Sequence, residues 1–519
     1  MKKFSLSLFI AHLIFFGLVV SGLAPRSLVI WETGILIVAL ALMNLEDGIV
    51  FFVRSIPLFI AIPLTASFDN FNQWRLFSIV IFCKWLFAPE TRRYLVGELK
   101  LAINHPHEFF HKHPAAVALH ALILLAFLSL WHSPDPVAGL KRIIYFVNAA
   151  LIGVVAWNQA GRRPARLIRN LTVPVIIALA VGIIQVCATY LVDIYQFMRI
   201  WGEGIQLRQF GTEWSYIATH VGNTWFAYFG DQLSLRVFSL FPDSHSFPIF
   251  LLLGLPAFFA WSIQKPLARA ERFWSMVRTR GSLAVLWIPA IFLFVILSGT
   301  RGFWAGAAAV VVWSFLVIWL IRHTRVPLPT RNVFKYVASY LTIFILLFSI
   351  AYPIFASPQF LVSKGNALLL QQRIKSILDF GETSNAQRIL IWKQTLSSIE
   401  ARPLLGVGIG NFPVVLDQDI KLSRAGSSAH NIYLHIAAEM GIPALLAALY
   451  LVWLILKTLY LKFRSSQNGF FSAYYAAGLI SIPWVLAYLM TDVALFDERA
   501  LLFFSVVLGI LFAEEKNLA

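Results

Sequence analysis

The 519-residue chain is 59% hydrophobic and only 13% charged, with a mean hydropathy of +0.75. Soluble domains are about half apolar and a quarter charged, so a soluble multidomain enzyme is excluded, and 15% aromatic content with long apolar runs excludes disorder. The net charge of +17, from 42 Lys and Arg against 25 Asp and Glu, would suggest nucleic acid in a soluble protein; in a polytopic one it reads first as basic cytoplasmic loops.

Taken in chain order and cut at polar and Gly/Pro breaks, the sequence predicts fourteen helices: 4–21, 28–43, 48–67, 74–88, 115–131, 140–159, 171–194, 246–264, 283–298, 302–321, 336–353, 438–456, 473–491 and 499–513. The fold class expected is all-α, a polytopic membrane helix bundle of about 12–14 transmembrane helices of about 20 residues each. Met1-Lys2-Lys3 and the apolar run to Val20 resemble a secretory signal, but the many spans that follow favour a retained first span. With the N-terminus in the cytoplasm, the inner loops hold Arg92, Arg93, Lys100 and Lys112, then Arg162, Arg163, Arg166 and Arg169. They next hold Lys265, Arg269, Arg272, Arg278 and Arg280, then Arg322, Arg325, Arg331 and Lys335, and finally Lys457, Lys462 and Arg464. This is the positive-inside pattern, with both chain ends inside and two long outer segments, about 195–245 and 354–437. The divisions expected are 1–230, N-terminal spans; 231–353, central spans with two arginine motifs; 354–437, a large helical outer loop; and 438–519, C-terminal spans.

Two features resemble metal sites without completing one. Cys83 and Cys187 lie in apolar stretches and offer neither a disulfide framework nor a thiolate site. His105, His107, His111 and His113 sit in inner segment 89–114, where no rigid pair with a carboxylate completes a ligand set, and a solvated, partly amphipathic linker is expected.

The outer loop carries more pattern. From Asn385 the chain reads NAQRILIWKQTLSSIEARP, and Ile389, Trp392, Leu396 and Ile399 form one apolar helical stripe, with Arg388 and Lys393 off it. Ser384 or Asn385 is the expected N-cap, and Pro403 the stop. The helix roofs the outer face, either lying in the membrane surface or packed over the bundle. In LLGVGIGNF, Gly406, Gly408 and Gly410 allow a tight turn and close backbone approach; no βαβ context makes it a nucleotide loop. His430-Asn431 stands at the mouth of a span, followed by Tyr433, His435 and Glu439. Arg301, in LSGTRGFWAG, falls at the outer junction of two apolar spans, where a cation is costly unless compensated. Arg236, in LSLRVFSLFPDSHS, likewise precedes a span. Arginine's planar fork suits phosphate oxygens. Two convergent arginines therefore read as a diphosphate site, or else as cations that snorkel or pair with acids elsewhere.

The tail R-x3-W…PLLGVGIGNF…HN-Y-L…E-x-G resembles the O-antigen ligase and polysaccharide polymerase superfamily of bacterial envelope glycosyltransferases, over roughly 230–512. The ligase signature of His-Asn, nine residues and Gly is met by His430, Asn431 and Gly441, with Ala444 where a closing Gly is usual. Ser298-Gly299-Thr300-Arg301-Gly302 is similar to the family's Ser-x-Ser/Thr-Arg-Gly element. Members commonly read Arg-x-x-Gly-x-x-x-Asn-Pro-Asn before the corresponding span; here the arginine, Arg236, and a proline-polar turn are kept, and the glycine and asparagines are not.

The resemblance implies a GT-C-like, metal-independent and cofactor-free transfer in the bacterial inner membrane, at a site facing the periplasm or cell exterior. The donor it implies is a glycan on undecaprenyl diphosphate; the acceptor is a glycan, lipid or protein hydroxyl, with membrane lipids as surroundings and no nucleic acid. It assigns Arg236 and Arg301 to the diphosphate and His430 to general-base catalysis. Arg388, Asn431, Tyr433, Glu439, Gly406 and Gly408 follow as substrate-binding candidates. No acidic pair occupies the first outer loop, 22–27, in keeping with an arginine-based site. Ligase and polymerase use the same residues, and both stay open. The alternative is a transporter or flippase of an anionic lipid-linked substrate. Transporter sites usually lie near the bilayer midplane, whereas these polar groups crowd the outer interface.

Overall fold

An apolar chain in a bilayer has to satisfy its backbone polar groups within each segment, which makes helices the default. The computed structural model of the chain describes residues 2–64, 71–229, 232–263, 282–324, 326–362, 383–418 and 427–514. The inner-loop cations Lys265 to Arg280, and Arg325, lie outside these residues.

The N-terminal helices are α1 (Lys2–Ser21), α2 (Leu28–Leu42), α3 (Leu45–Ser55), α4 (Gln73–Leu86), α5 (Pro89–Asn104), α6 (Pro106–Lys112), α7 (Pro114–Ser129), α8 (Pro136–Arg162), α9 (Pro164–Asn170) and α10 (Thr172–Ala188). The second half holds α11 (Ser246–Ser262), α12 (Ser282–Leu297), α13 (Arg301–His323), α14 (Leu328–Ala356), α15 (Thr383–Ala401), α16 (Ile432–Ser465), α17 (Gly469–Tyr488) and α18 (Glu498–Phe512). Among the described residues, eight helices are long and apolar enough to cross a membrane, and shorter apolar helices such as α2 and α11 accompany them. The protein is an all-α, multi-pass membrane protein. Segment 89–114 forms the helices α5 and α6, and Glu98 of α5 engages Lys112 at 2.6 Å and His113, just after α6, at 2.9 Å.

The core centres on α17, buried along almost its whole length. It packs against α11, α13, α14 and α16, while α18 lies between α8 and α11, and α7 runs along α16. The starts of α8, α11, α13, α16 and α18 share one end of the bundle, here the site end.

Two predicted spans differ from those observed. The 48–67 segment is helical only to Ser55, continues as a tight turn over Ile56–Leu58, and is then irregular to Leu64. Pro57 withdraws an amide donor at the break. Side chains meet the freed groups: Gln209 donates to the Pro57 carbonyl (3.1 Å), Arg499 to Phe59 (3.1 Å) and Arg26 to Ala61 (2.9 Å), and Gln73 accepts from the Ile60 amide (3.1 Å). Irregular backbone is tolerated in a membrane protein where protein encloses it. The 438–456 span instead begins at Ile432 and is kinked at Gly441, whose φ of +85° interrupts the helix two residues before Pro443.

The described residues of segment 195–245 are structured as well. Helical turns from Ile194 to Val221 lead into an antiparallel hairpin, β1 (Phe226–Phe229) with β2 (Gln232–Leu235), in which Phe226 faces Leu235. Strand β2 delivers the chain directly to Arg236.

Candidate active site

Arg236 is fixed from three sides. Its Nε donates to the Ser298 carbonyl at 3.2 Å, and one terminal nitrogen reaches Thr300 Oγ1 at 3.0 Å and His245 Nε2 at 3.2 Å. Thr300 passes its own proton to the Ser244 carbonyl at 3.0 Å. Guanidinium only donates, so Nε2 of His245 accepts, and the ring's proton sits on Nδ1. That nitrogen lies 2.5 Å from Asp492 Oδ2 and 2.9 Å from the Tyr488 hydroxyl. A chain from carboxylate through imidazole to guanidinium results, in which Asp492 sets the tautomer that holds Arg236.

The backbone before His245 forms a turn with residues other than those the resemblance would place there. Ser239, at the position of the usual glycine, has a φ of +54°, rare for a residue with a side chain. Gln185 accepts from its amide (2.7 Å) and donates to its carbonyl (3.0 Å), and its hydroxyl donates to Ala178 (2.6 Å). Asp243 replaces the first asparagine and accepts from the amides of His245 and Ser246, both at 2.8 Å, closing the first turn of α11. His245 replaces the last.

Arg301 is the first residue of α13 and is half-buried. Its neighbours on both sides touch the cluster: Thr300 bonds Arg236, and Gly302 lies where a β-carbon would come within 2.5 Å of Thr491 and 2.9 Å of the Tyr488 ring. Phe303 stacks on Tyr488 at 3.8 Å. The starts of α11, α13 and α16 thus converge, and helix N-termini favour anions.

His430 occupies the loop before α16 in a left-handed conformation, φ +45°, with its amide donating to Ser428 Oγ at 3.3 Å. Its Nδ1 is buried without a partner among the described residues. Burial pushes its pKa below the ordinary imidazole value, Asp492 pulls the other way, and Arg388 and His245 add to the lowering. Burial opposes ionisation of Asp492 too, yet its contacts with His245 and, further off, His430 hold its carboxyl well below the usual carboxylate range. Asn431 caps α16 by accepting from the amides of Tyr433 (3.0 Å) and Leu434 (3.1 Å). The Tyr433 hydroxyl donates to the Leu486 carbonyl at 3.0 Å, tying α16 to α17.

The roof helix α15 begins at Thr383, so Ser384 and Asn385 lie in its first turn rather than at its cap. Its inward face also differs from the expected stripe. Thr395 and Ile399 are buried, Leu396 is exposed, and Trp392 donates its indole proton to the Ala429 carbonyl at 2.9 Å. Arg388 precedes Trp392 by one turn and so shares this face, within electrostatic range of both His430 and Tyr488. Trp392 and Ile399 of the expected stripe thus face inward, while Thr395 takes the place expected for Leu396.

Gly406, Gly408 and Glu439 serve a different assembly. At the kink of α16, Pro403 accepts from the Ile442 amide (2.8 Å), while the Val407 and Gly408 amides donate to the carbonyls of Ala438 and Glu439, both at 2.9 Å. A β-carbon on Gly406 would lie 2.4 Å from the Ala438 carbonyl oxygen, and one on Gly408 2.6 Å from Ser133. The close approach these glycines permit is to the chain itself. Glu439 accepts from the Phe412 amide at 3.2 Å and faces His435 at 3.5 Å.

The structure therefore brings Arg236, Arg388 and His430 into one neighbourhood, places Arg301 beside it, and adds His245, Asp492 and Tyr488, which the motifs did not single out. Only the register of His245 on the family's last asparagine hinted at any of them. No curated protein matches the chain. Residues 284–449 match the family model described as O-antigen ligase, a stretch that holds Arg301, Arg388, the glycine loop, His430, Asn431 and Glu439. Over that third of its length the chain is similar to O-antigen ligases, and its many apolar helices make it a multi-pass membrane protein.

Proposed function

We propose that the protein moves a glycan from undecaprenyl diphosphate to an acceptor hydroxyl at a site on the periplasmic side of the bacterial inner membrane. The observation that carries this reading is His430: a buried imidazole, Nδ1 unpartnered among the described residues, beside an arginine locked by its own His–Asp pair. The acceptor oxygen attacks the anomeric carbon, its proton passes to His430, and the bond from that carbon to the diphosphate oxygen breaks. A base is most useful when its pKa lies near or below the working pH. The charge that grows on the leaving lipid diphosphate meets Arg236, Arg301 and Arg388 and three helix N-termini, a preorganised electrostatic clamp. These groups supply the positive charge that a metal-dependent enzyme takes from its ion, and the energy resides in the lipid diphosphate bond.

The test is purified protein incubated with lipid-diphosphate-linked glycan and acceptor, with products resolved by size. New glycosidic bonds are expected, absent in Arg301→Ala and His430→Ala and poorly restored by Arg301→Lys, because a point charge replaces the fork badly. A single addition marks a ligase and a ladder a polymerase; wild-type activity in both alanine variants sinks the reading.

A further inference from the structure

The site end carries a second pair of arginines. Arg75, in the first turn of α4, and Arg142, in the second turn of α8, are both half-buried, and their guanidinium groups lie 5.5 and 5.3 Å from the ring of Tyr145. Arg75 also packs on Trp74 at 5.3 Å, and Arg142 on Phe146 at 4.9 Å and Phe496 at 5.5 Å. Among the described residues neither guanidinium has a carboxylate or hydrogen-bond partner, and Arg75 Nε is buried with none. A half-buried cation held only by ring faces is weakly compensated, and the edge of the fork, which binds carboxylate or phosphate in pairs of hydrogen bonds, is uncommitted.

The nearby acids are engaged elsewhere. Glu498 accepts from Asn72 and the Trp74 indole, both at 3.0 Å. Asp497 caps α18 through the Arg499 amide at 3.1 Å, and its pKa is pushed up to about 7 by burial and by Asp243. That influence of Asp243 also shows that the patch borders the Arg236 turn. Phe496 forms the shared wall, with Arg142 on it and His435, five residues after His430, 6.1 Å away. Tyr145 donates to the Phe496 carbonyl at 2.8 Å, which fixes that wall.

We infer that Arg75 and Arg142, with the rings of Tyr145 and Phe496, form an acceptor subsite for an anionic sugar, one bearing a carboxylate or phosphate, next to His430. The inference rests on the glycosyltransferase reading. The rings hold the two guanidinium groups side by side, and the free edges of the forks read the sugar's charge.

Binding tests it apart from transfer. Purified full-length protein in detergent is titrated with tetragalacturonide, an acidic oligosaccharide, and with maltotetraose, a neutral one of equal length. Wild type is expected to prefer the acidic probe. Arg75→Gln and Arg142→Gln should each weaken it about tenfold or more, as for a lost charged hydrogen bond, and leave maltotetraose unchanged; Arg142→Lys should fall between. Should Arg75→Gln fail to fold, the two Arg142 variants carry the test. Equal affinity for the two probes, or unchanged affinity in the variants, overturns the inference. So does arginine-dependent binding of phosphatidylglycerol without binding of the oligosaccharide, which marks a headgroup site. A protein that binds the acidic probe through these arginines yet makes no glycosidic bond would refute the transfer reading alone.

Discussion

Two polar regions meet at the start of α16, and they are built to opposite rules. Around the kink at Gly441, the loop 403–411 is tied to the chain: Ala438 and Glu439 accept from Val407 and Gly408, Pro403 accepts from Ile442, and the Asn411 side chain donates to Ser133, Asp135 and Ile409. At His430, by contrast, a buried imidazole nitrogen has no partner among the described residues, and the residue itself stands in a left-handed conformation within electrostatic range of Arg388. Buried polar groups are normally satisfied. A region that satisfies itself is architecture, and one that holds groups in reserve awaits something else. The sequence offers the glycine-rich loop as a substrate-binding candidate and His430 as the catalytic one; their hydrogen bonding differs in the fold.

The distinction breaks if the two regions respond alike to substitution. The largest effect is expected for His430→Ala and Arg236→Ala, each lowering kcat/KM by about a hundredfold to ten-thousandfold with the unfolding midpoint in detergent little changed. Gly441→Ala should do the reverse. Its φ is +85° and a β-carbon would lie 2.2 Å from the Leu404 carbonyl oxygen, so beyond the roughly 1–3 kcal/mol of backbone strain the loop has to move. The midpoint falls, and the rate per folded molecule holds.

Two smaller effects sharpen the contrast through pH. Because burial lowers the pKa of His430, the acid limb of kcat/KM should lie below about 6.5, the ordinary imidazole value. Asp492→Asn removes the charge that raises it and should move the limb lower still; an upward move would contradict the assignment. The smallest effect concerns Asp497. Its folded pKa is pushed up to about 7, so the native state keeps a proton that the unfolded chain releases above about 4, and stability declines as pH rises between those values. Asp497→Asn keeps a capping side chain and should raise the midpoint more at pH 8 than at pH 5.

What the sequence disclosed followed the range of its signals. Helix positions came from apolarity, which is local, and Arg236, Arg301 and His430 stood out because charged or titratable groups beside apolar spans are costly. The break after Ser55 escaped because 48–67 is apolar throughout, and its cause, side chains of Arg26, Gln73, Gln209 and Arg499, is spread over the whole chain. His245 and Asp492 are 247 residues apart and meet only in the fold. The expected stripe of α15 holds at Trp392 and Ile399 and departs at Leu396, which is exposed beside the buried Thr395.

Ser239 shows what a turn can outlive. A serine in the left-handed region is less comfortable there than a glycine by about 1 kcal/mol, and here Gln185 and Ala178 hold it in place with three hydrogen bonds. The dihedral angle that aims Arg236 is therefore underwritten from α10, a helix outside every motif. Ser239→Gly would loosen that dependence, and a chain so relieved should tolerate changes at Gln185 that this one does not.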